Sequence, residues 1–337
     1  MKNTIAKSFL LLCCCLSFYC SLNAQEHPLT FNEKGQFKIV QFTDVHFKLE
    51  NPASDVAIER IQEVLDKEEP ELVIFTGDVI YSSPADESMQ FILNLVSSRK
   101  IPFAVTFGNH DDEQGFSRQQ LYDLIRTIPY NLLPEQKKPG VFDYALEIYS
   151  QQNKELSSIL YCMDSNSYSS VEGVDGYAWF EFDQIDWYRK QSMKYTEKNK
   201  GVPLPGLAFF HIPLPEYQEA ITSLTTPLKG TRLEYICSPQ LNSGMFTAMR
   251  QCGDVMGTFV GHDHDNDFAV MWHDILLAYG RFTGGNTEYN NLPNGARIIQ
   301  LVEGQREFTT WIRLANDEII DKATYPDSFV KKPFTPN

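Results

Sequence analysis

Early in the chain, three apolar runs each stop on a polar cluster, and amphipathic segments separate them. Phe37-Lys38-Ile39-Val40-Gln41-Phe42 ends at Thr43-Asp44. Leu72-Val73-Ile74-Phe75 closes on Gly77-Asp78, and Phe103-Ala104-Val105-Thr106-Phe107 on Gly108-Asn109-His110. Short runs rich in β-branched and aromatic residues read as buried strands. Between them, residues 55–69 carry Val56, Ile61, Val64 and Leu65 at helical spacing and stop before Pro70, and 87–98 fits a second helix. Strand–helix alternation predicts an α/β fold, whose sheets bind ligands beyond the carboxyl ends of their strands. The polar clusters are therefore expected along one rim.

The stretch 114–206 is less regular, and Pro134 to Gly140 reads as a loop. Ser158 to Met163 is a further strand ending at Asp164, and Phe182 to Lys198 a surface helix. Leu207-Ala208-Phe209-Phe210 then runs into His211, and Gly257-Thr258-Phe259-Val260 into Gly261-His262-Asp263-His264. With no repeat and no clear linker, one catalytic domain is expected over 25–325, followed by a tail at 326–337.

The first 24 residues read as a leader rather than as part of the fold. Lys2 and Lys7 precede an apolar run from Phe9 to Leu22, with Ala24 at the cut, the order of a secretory signal peptide. The run is short for a membrane anchor and is broken by Ser17. Tyr19 is bulky for lipid attachment at Cys20. An exported protein, periplasmic or secreted, is expected to begin at Gln25 and to have no transmembrane span. Cys162, Cys237 and Cys252 then remain, too few for a disulfide framework; Cys237 and Cys252 could pair, or all could be free thiols. The 44 acidic against 29 basic residues, a formal net charge of −15, argue against a basic surface for nucleic acid. They do not exclude a small anionic substrate held by metal ions.

Of seven histidines, only His27 and His273 stand outside one pattern. Inside it lie Asp44-x-His46, Gly77-Asp78, Gly108-Asn109-His110-Asp111, His211 and His262-x-His264. Singly each is commonplace. Together they mix hard carboxylate and amide oxygens with imidazoles, a set that suits Mn, Fe or Zn. Two ions about 4 Å apart need a bridging carboxylate, and Asp78 can be that bridge.

This ordered set resembles the calcineurin-like metallophosphoesterases. Three further stretches are similar to the branch of small plant purple acid phosphatases and their bacterial relatives. They are Phe209-Phe210-His211-Ile212-Pro213-Leu214-Pro215-Glu216-Tyr217, Leu241-Asn242-Ser243-Gly244-Met245-Phe246 and Gly261-His262-Asp263-His264-Asp265-Asn266-Asp267-Phe268. With Asp164-Ser165 and Gly176-Tyr177, the likeness runs from Phe37 to about Leu301. It implies two packed mixed β-sheets flanked by helices, a four-layer sandwich. It also implies one ion held by Asp44, His46, Asp78 and His264, and another by Asp78, Asn109, His211 and His262. A hydroxide bridging the ions would attack phosphorus, and His110 would serve the leaving oxygen. Neutral Asn109 would leave its ion more electrophilic than a carboxylate would, and Asp111 could orient His110 or a ligand.

Other residues carry two readings. Gly77-Asp78-Val79-Ile80-Tyr81 has the Gly-Asp-x-x-Tyr spacing of the purple enzymes, but His46 stands where those have glycine. Tyr81 is then either a phenolate ligand or an aromatic wall. Tyr217, Asp164, Tyr177 and Arg281 sit in segments expected near the rim. Arg281 reads as a phosphate clamp or as a surface ion pair. Asp263, Asp265 and Asp267 lack the glycine and distant glutamate of a calcium loop and read as supporting or solvated acids. The function expected is hydrolysis of small phosphomonoesters. A phosphodiesterase with the same two-ion site is the alternative, and a non-catalytic metal- or phosphate-binding protein a more distant one.

Overall fold

The computed structural model describes residues 28–223 and 227–330; the expected leader and the end of the tail lie outside them. Leu29–Thr30 (β1) and Gln36–Phe42 (β2) precede α1 (Asp55–Glu68), β3 (Leu72–Thr76), α2 (Ala85–Ser97) and β4 (Phe103–Thr106). Helix α3 (Arg118–Ile125) leads to β5 (Tyr144–Tyr149), β6 (Leu156–Cys162), α4 (Phe182–Lys198) and β7 (Gly206–Phe209). After α5 (Glu216–Ser223) and α6 (Met245–Cys252) come β8 (Val255–Val260), β9 (Ala269–Trp272) and β10 (Ile275–Tyr279). The chain closes with β11 (Ala296–Val302), β12 (Phe308–Arg313) and β13 (Ile319–Tyr325).

These strands form two mixed sheets. One is six-stranded in the order β13-β12-β11-β2-β3-β4, the other seven-stranded in the order β1-β5-β6-β7-β8-β10-β9. Strands β2, β3 and β4 run parallel in the first, and β6, β7, β8 and β10 in the second. Parallel strands covered on both faces need apolar side chains throughout, and Leu72 to Phe75 are all fully buried. Successive residues of one strand belong to different cores. Leu207 and Phe209 join the cluster that fills the space between the sheets, while Ala208 and Phe210 join a second one shared with α4, α5 and α6. Helices α1, α2 and α3 pack on the other sheet. The two packed sheets with helices outside are those of the resemblance.

The early elements lie where hydrophobic spacing predicts them, and the helix over 182–198 spans those residues. The irregular middle conceals α3 and β5, and strands β9 to β13 carry no polar cluster that would have marked them. Cys162, Cys237 and Cys252 are free thiols, with Cys162 buried, so the pairing considered for Cys237 and Cys252 is not formed. Among the described residues no helix is long and apolar enough to cross a membrane.

Buried charge ties the layers together. Glu68, at the end of α1, is 3% exposed and accepts from Trp311 Nε1 at 3.0 Å and Arg313 Nε at 2.7 Å, with Lys38 Nζ 3.2 Å away. Asp254, before β8, accepts from the hydroxyls of Tyr161 and Tyr188. Removing one partner of such a group strands the others without water. Glu68→Ala is accordingly expected to cost about 3 kcal/mol of stability, measured as a lowered midpoint of urea unfolding with the slope unchanged.

Candidate metal centre

The polar clusters fall just beyond the carboxyl ends of five parallel strands. Asp44 and His46 follow β2, Asp78 follows β3, Asn109 and His110 follow β4, His211 follows β7, and His262 and His264 follow β8. Three of these strands belong to one sheet and two to the other, so the residues meet where the sheet ends converge. The local backbone is bent to achieve this. Asp44, His46, Asp78 and His262 all have left-handed φ, at 52°, 44°, 50° and 79°. Such conformations cost about 1–3 kcal/mol each for non-glycine residues and persist only where the surroundings enforce them. Glycine is needed where neighbours come closest. A Cβ on Gly108 would collide with the Asp78 carboxylate, and one on Gly261 with the Thr43 hydroxyl.

Two groups of side chains come together. Asp44, His46 and His264 offer ligand atoms all within 4.8 Å of one another, and so do Asp78, His211 and His262. Asp78 faces both: its Oδ2 is 3.1 Å from His211 Nε2 and 3.7 Å from His46 Nε2. Its Oδ1 is occupied by the backbone N–H of His110 at 2.8 Å. Asp44 is fixed by the Thr43 hydroxyl and the His262 N–H.

Hydrogen bonds also select the imidazole atoms that remain free. His211 Nδ1 donates to the Thr76 carbonyl and His264 Nδ1 to the Tyr289 carbonyl, each at 2.8 Å, leaving both Nε2 atoms for the centre. The Nε2 atoms of His46 and His264 lie 3.1 Å apart, and His262 Nδ1 is 3.3 Å from His211 Nε2. Asn109 donates through Nδ2 to the Tyr168 hydroxyl at 3.1 Å, while its buried Oδ1 has no partner. His46 Nδ1 is likewise buried without one. An unpaired acceptor in the interior costs about 1–3 kcal/mol. Convergent imidazole nitrogens and an orphaned amide oxygen are the donor set a pair of borderline cations needs, so the residues fit such ions.

Charge is arranged to suit. Burial would raise the Asp78 carboxyl, but His211, His46 and His110 hold it well below the usual range. Burial keeps His46 and His262 neutral, as ligands must be. His211 is the exception: burial opposes its proton, yet the carboxylates of Asp78 and Asp44 push it up to about 9.

Asp111 is fully buried beneath this assembly. It accepts from the backbone N–H groups of Gly108, Asp78, Val79 and Ile80 at 2.8–3.3 Å, stitching the turn after β4 to the turn after β3. Burial, then the Asp78 charge, pushes its carboxyl up to about 6. His110 stands above the centre with 28% of its side chain exposed, and its Nδ1 lies 2.6 Å from Glu113 Oε2. The Tyr81 ring packs edge-on against His46 and His110, at 5.2 and 5.1 Å, under Lys48 Nζ. Burial, then Glu288, Glu113 and Asp78, push its phenol up, which favours the neutral aromatic wall. Tyr177 sits edge-on to His262 at 4.3 Å.

Two residues expected near the rim are elsewhere. Tyr217 is wholly buried, with its hydroxyl on Thr258, because α5 packs its apolar face on the sheet. Arg281 is 2% exposed, paired with Asp267 and donating to the Pro293 carbonyl, so it is neither a phosphate clamp nor a surface ion pair. Asp164 is buried and paired with Arg118. Asp263 and Asp265 are held by Tyr279 and Asn291. Sequence reading passed over Arg118, which donates to the Gly108 carbonyl at 2.7 Å, and over Glu113, Tyr168 and Tyr289. Nothing in their local sequence distinguishes them from ordinary loop and helix residues.

A sequence model of the calcineurin-like phosphoesterases matches residues 37–265. The chain is similar to an Arabidopsis thaliana protein named probable inactive purple acid phosphatase 14, at 30% identity, with 93% of this chain and 86% of that one aligned. It is also similar to Phosphatase DCR2 of Saccharomyces cerevisiae, at 34% identity over 84% of this chain and 54% of that one. A dimetal phosphatase from Danio rerio shares the fold, with TM-score 0.60 and 14% identity, covering 86% of this chain and 98% of that one.

Since His211 carries a proton at neutral pH in the ion-free protein, binding a cation at its Nε2 must displace that proton. Mn²⁺ affinity is expected to rise with pH, approaching tenfold per unit below about 9, with proton release measurable by calorimetry in buffers of different ionisation heat. Asp111→Ala is expected to weaken Mn²⁺ binding by about 10- to 100-fold while the circular dichroism spectrum is kept.

Proposed function

The chain belongs to the calcineurin-like phosphoesterase family, and from that premise we propose that it hydrolyses small phosphomonoesters with two metal ions. The observation that carries this reading is the position of Asp78 Oδ2, facing His46 and His211, members of the two ligand groups, with partly exposed His110 nearby. Asp44, His46 and His264 would hold one ion, and Asn109, His211 and His262 the other, with Asp78 between. Ions so held would supply charge neutralisation for the phosphate oxygens and would make a water more acidic.

The chain's own groups do the rest. Glu113 accepts from His110 Nδ1, which leaves Nε2 as the atom that would pass a proton to the leaving oxygen. Asn109 contributes an oxygen without charge, which keeps its side of the centre more electrophilic. Buried strand ends keep bulk water from the ligand atoms. The phosphatase names of the relatives favour monoesters over diesters, and the leader read over residues 1–24 favours action outside the cytoplasm. Because three of the Arabidopsis thaliana relatives are named probable inactive, the enzymatic reading rests on this chain's own residues.

The test loads the protein with Mn²⁺ or iron and compares an aryl phosphomonoester with the matching diester. The expected outcome is a higher kcat/KM for the monoester, abolished by chelation. His110→Ala is expected to lower kcat by about 10²- to 10⁴-fold with metal content unchanged. A diester preference would reassign the reaction. No turnover of either ester with both ions bound would leave a binding protein.

A further inference from the structure

Four tyrosines surround the mouth of the centre, and three of them reach it from loops remote in sequence. Tyr81 lies on His46, Tyr177 on His262 at 4.3 Å, and Tyr289 is stacked on His264 at 4.4 Å. Tyr168 stacks on Tyr177 at 5.8 Å and receives the Asn109 amide on its hydroxyl. Tyr168 and Tyr289 are about half exposed, at 48% and 55%, so their rings face solvent beside the ligands rather than fill a core.

The charges attached to this ring are mostly carboxylates. The Tyr168 hydroxyl lies 3.2 Å from Glu113 Oε1, and the Tyr289 hydroxyl donates to Glu234 Oε2 at 3.0 Å. Neither Glu113 nor Glu234 has a lysine or arginine partner among the described ion pairs. The cation on Tyr81, Lys48, is paired with Glu288 at 3.6 Å. Arg118, the guanidinium bound to the Gly108 turn, is taken by Asp164 and Asp112. A substrate with a second phosphate would meet carboxylates here and no free cation among these groups. An alkylammonium would meet aromatic faces and net negative charge, the surroundings that hold such cations.

Resting on the phosphomonoesterase reading, we propose that this tyrosine-and-carboxylate mouth selects phosphate monoesters whose alcohol carries an alkylammonium group. The phosphate would lie on the ions and the cationic end against Tyr289, Tyr168, Glu234 and Glu113. Part of the selectivity is long-range, since a chain of net charge −15 attracts cations and repels polyanions.

The test has two arms on the Mn²⁺-loaded protein. Hydrolysis of choline phosphate, glycerol phosphate and a sugar bisphosphate is compared by kcat/KM. Binding of the same esters to Mn²⁺-loaded His110→Ala, which turns them over about 10²- to 10⁴-fold more slowly, is measured by calorimetry within the time before they are consumed. Choline phosphate is expected to lead glycerol phosphate by about tenfold in both arms, with the bisphosphate last. Glu234→Gln and Tyr289→Leu should each shrink the choline-to-glycerol ratio severalfold. Equal values for choline and glycerol phosphates, or a lead for the bisphosphate, would overturn the proposal. If no ester is hydrolysed yet choline phosphate still binds tenfold tighter, the enzymatic reading fails and the selectivity of the mouth stands.

Discussion

Two carboxylates, Asp44 and Asp78, are held almost out of contact with water where the two sheets converge, and the structure around them answers that cost. An ionised carboxylate in such a place must be compensated by hydrogen bonds and opposite charge. Backbone N–H groups of His110 and His262 supply the first. Imidazoles supply the second, and His211 takes up a proton against its own burial to do so. A divalent cation answers the same demand more completely. The residues that would bind metal are therefore also those whose electrostatics are least settled without it.

Holding this arrangement requires bends that the chain would not choose. Left-handed φ values at Asp44, His46, Asp78 and His262 turn the chain sharply just beyond the strand ends. Asp111 bears much of the load, because a single buried carboxylate binds four backbone amides from two turns. Arg118 does the complementary work at the carbonyl side of Gly108 and ties that turn to Asp164.

Much of the candidate site was legible in the chain, for a physical reason. Parallel strands end their mainly apolar runs abruptly, so Asp44, Asp78, Asn109, His211 and His262 stand just past the end of a β-prone stretch. Repetition of that pattern supplied what no single motif could. The readings for Tyr217 and Arg281 failed because loop-like local sequence says nothing about depth. An amphipathic α5 carries Tyr217 inward, and Asp267, itself fully buried, holds Arg281 in the interior.

The sequence by itself determined the strand–helix alternation, the polar strand ends and the donor chemistry, since these follow from hydrophobic spacing and residue type. It did not determine which atoms meet. That His211 presents Nε2 depends on the Thr76 carbonyl 135 positions earlier. That His264 does so depends on a loop carbonyl at Tyr289. The aromatic and acidic mouth is likewise assembled from segments near residues 81, 113, 168, 177, 234 and 289, which only the packing of two sheets brings to one rim. Contacts between residues so far apart leave no local periodicity, so tertiary structure alone decides them.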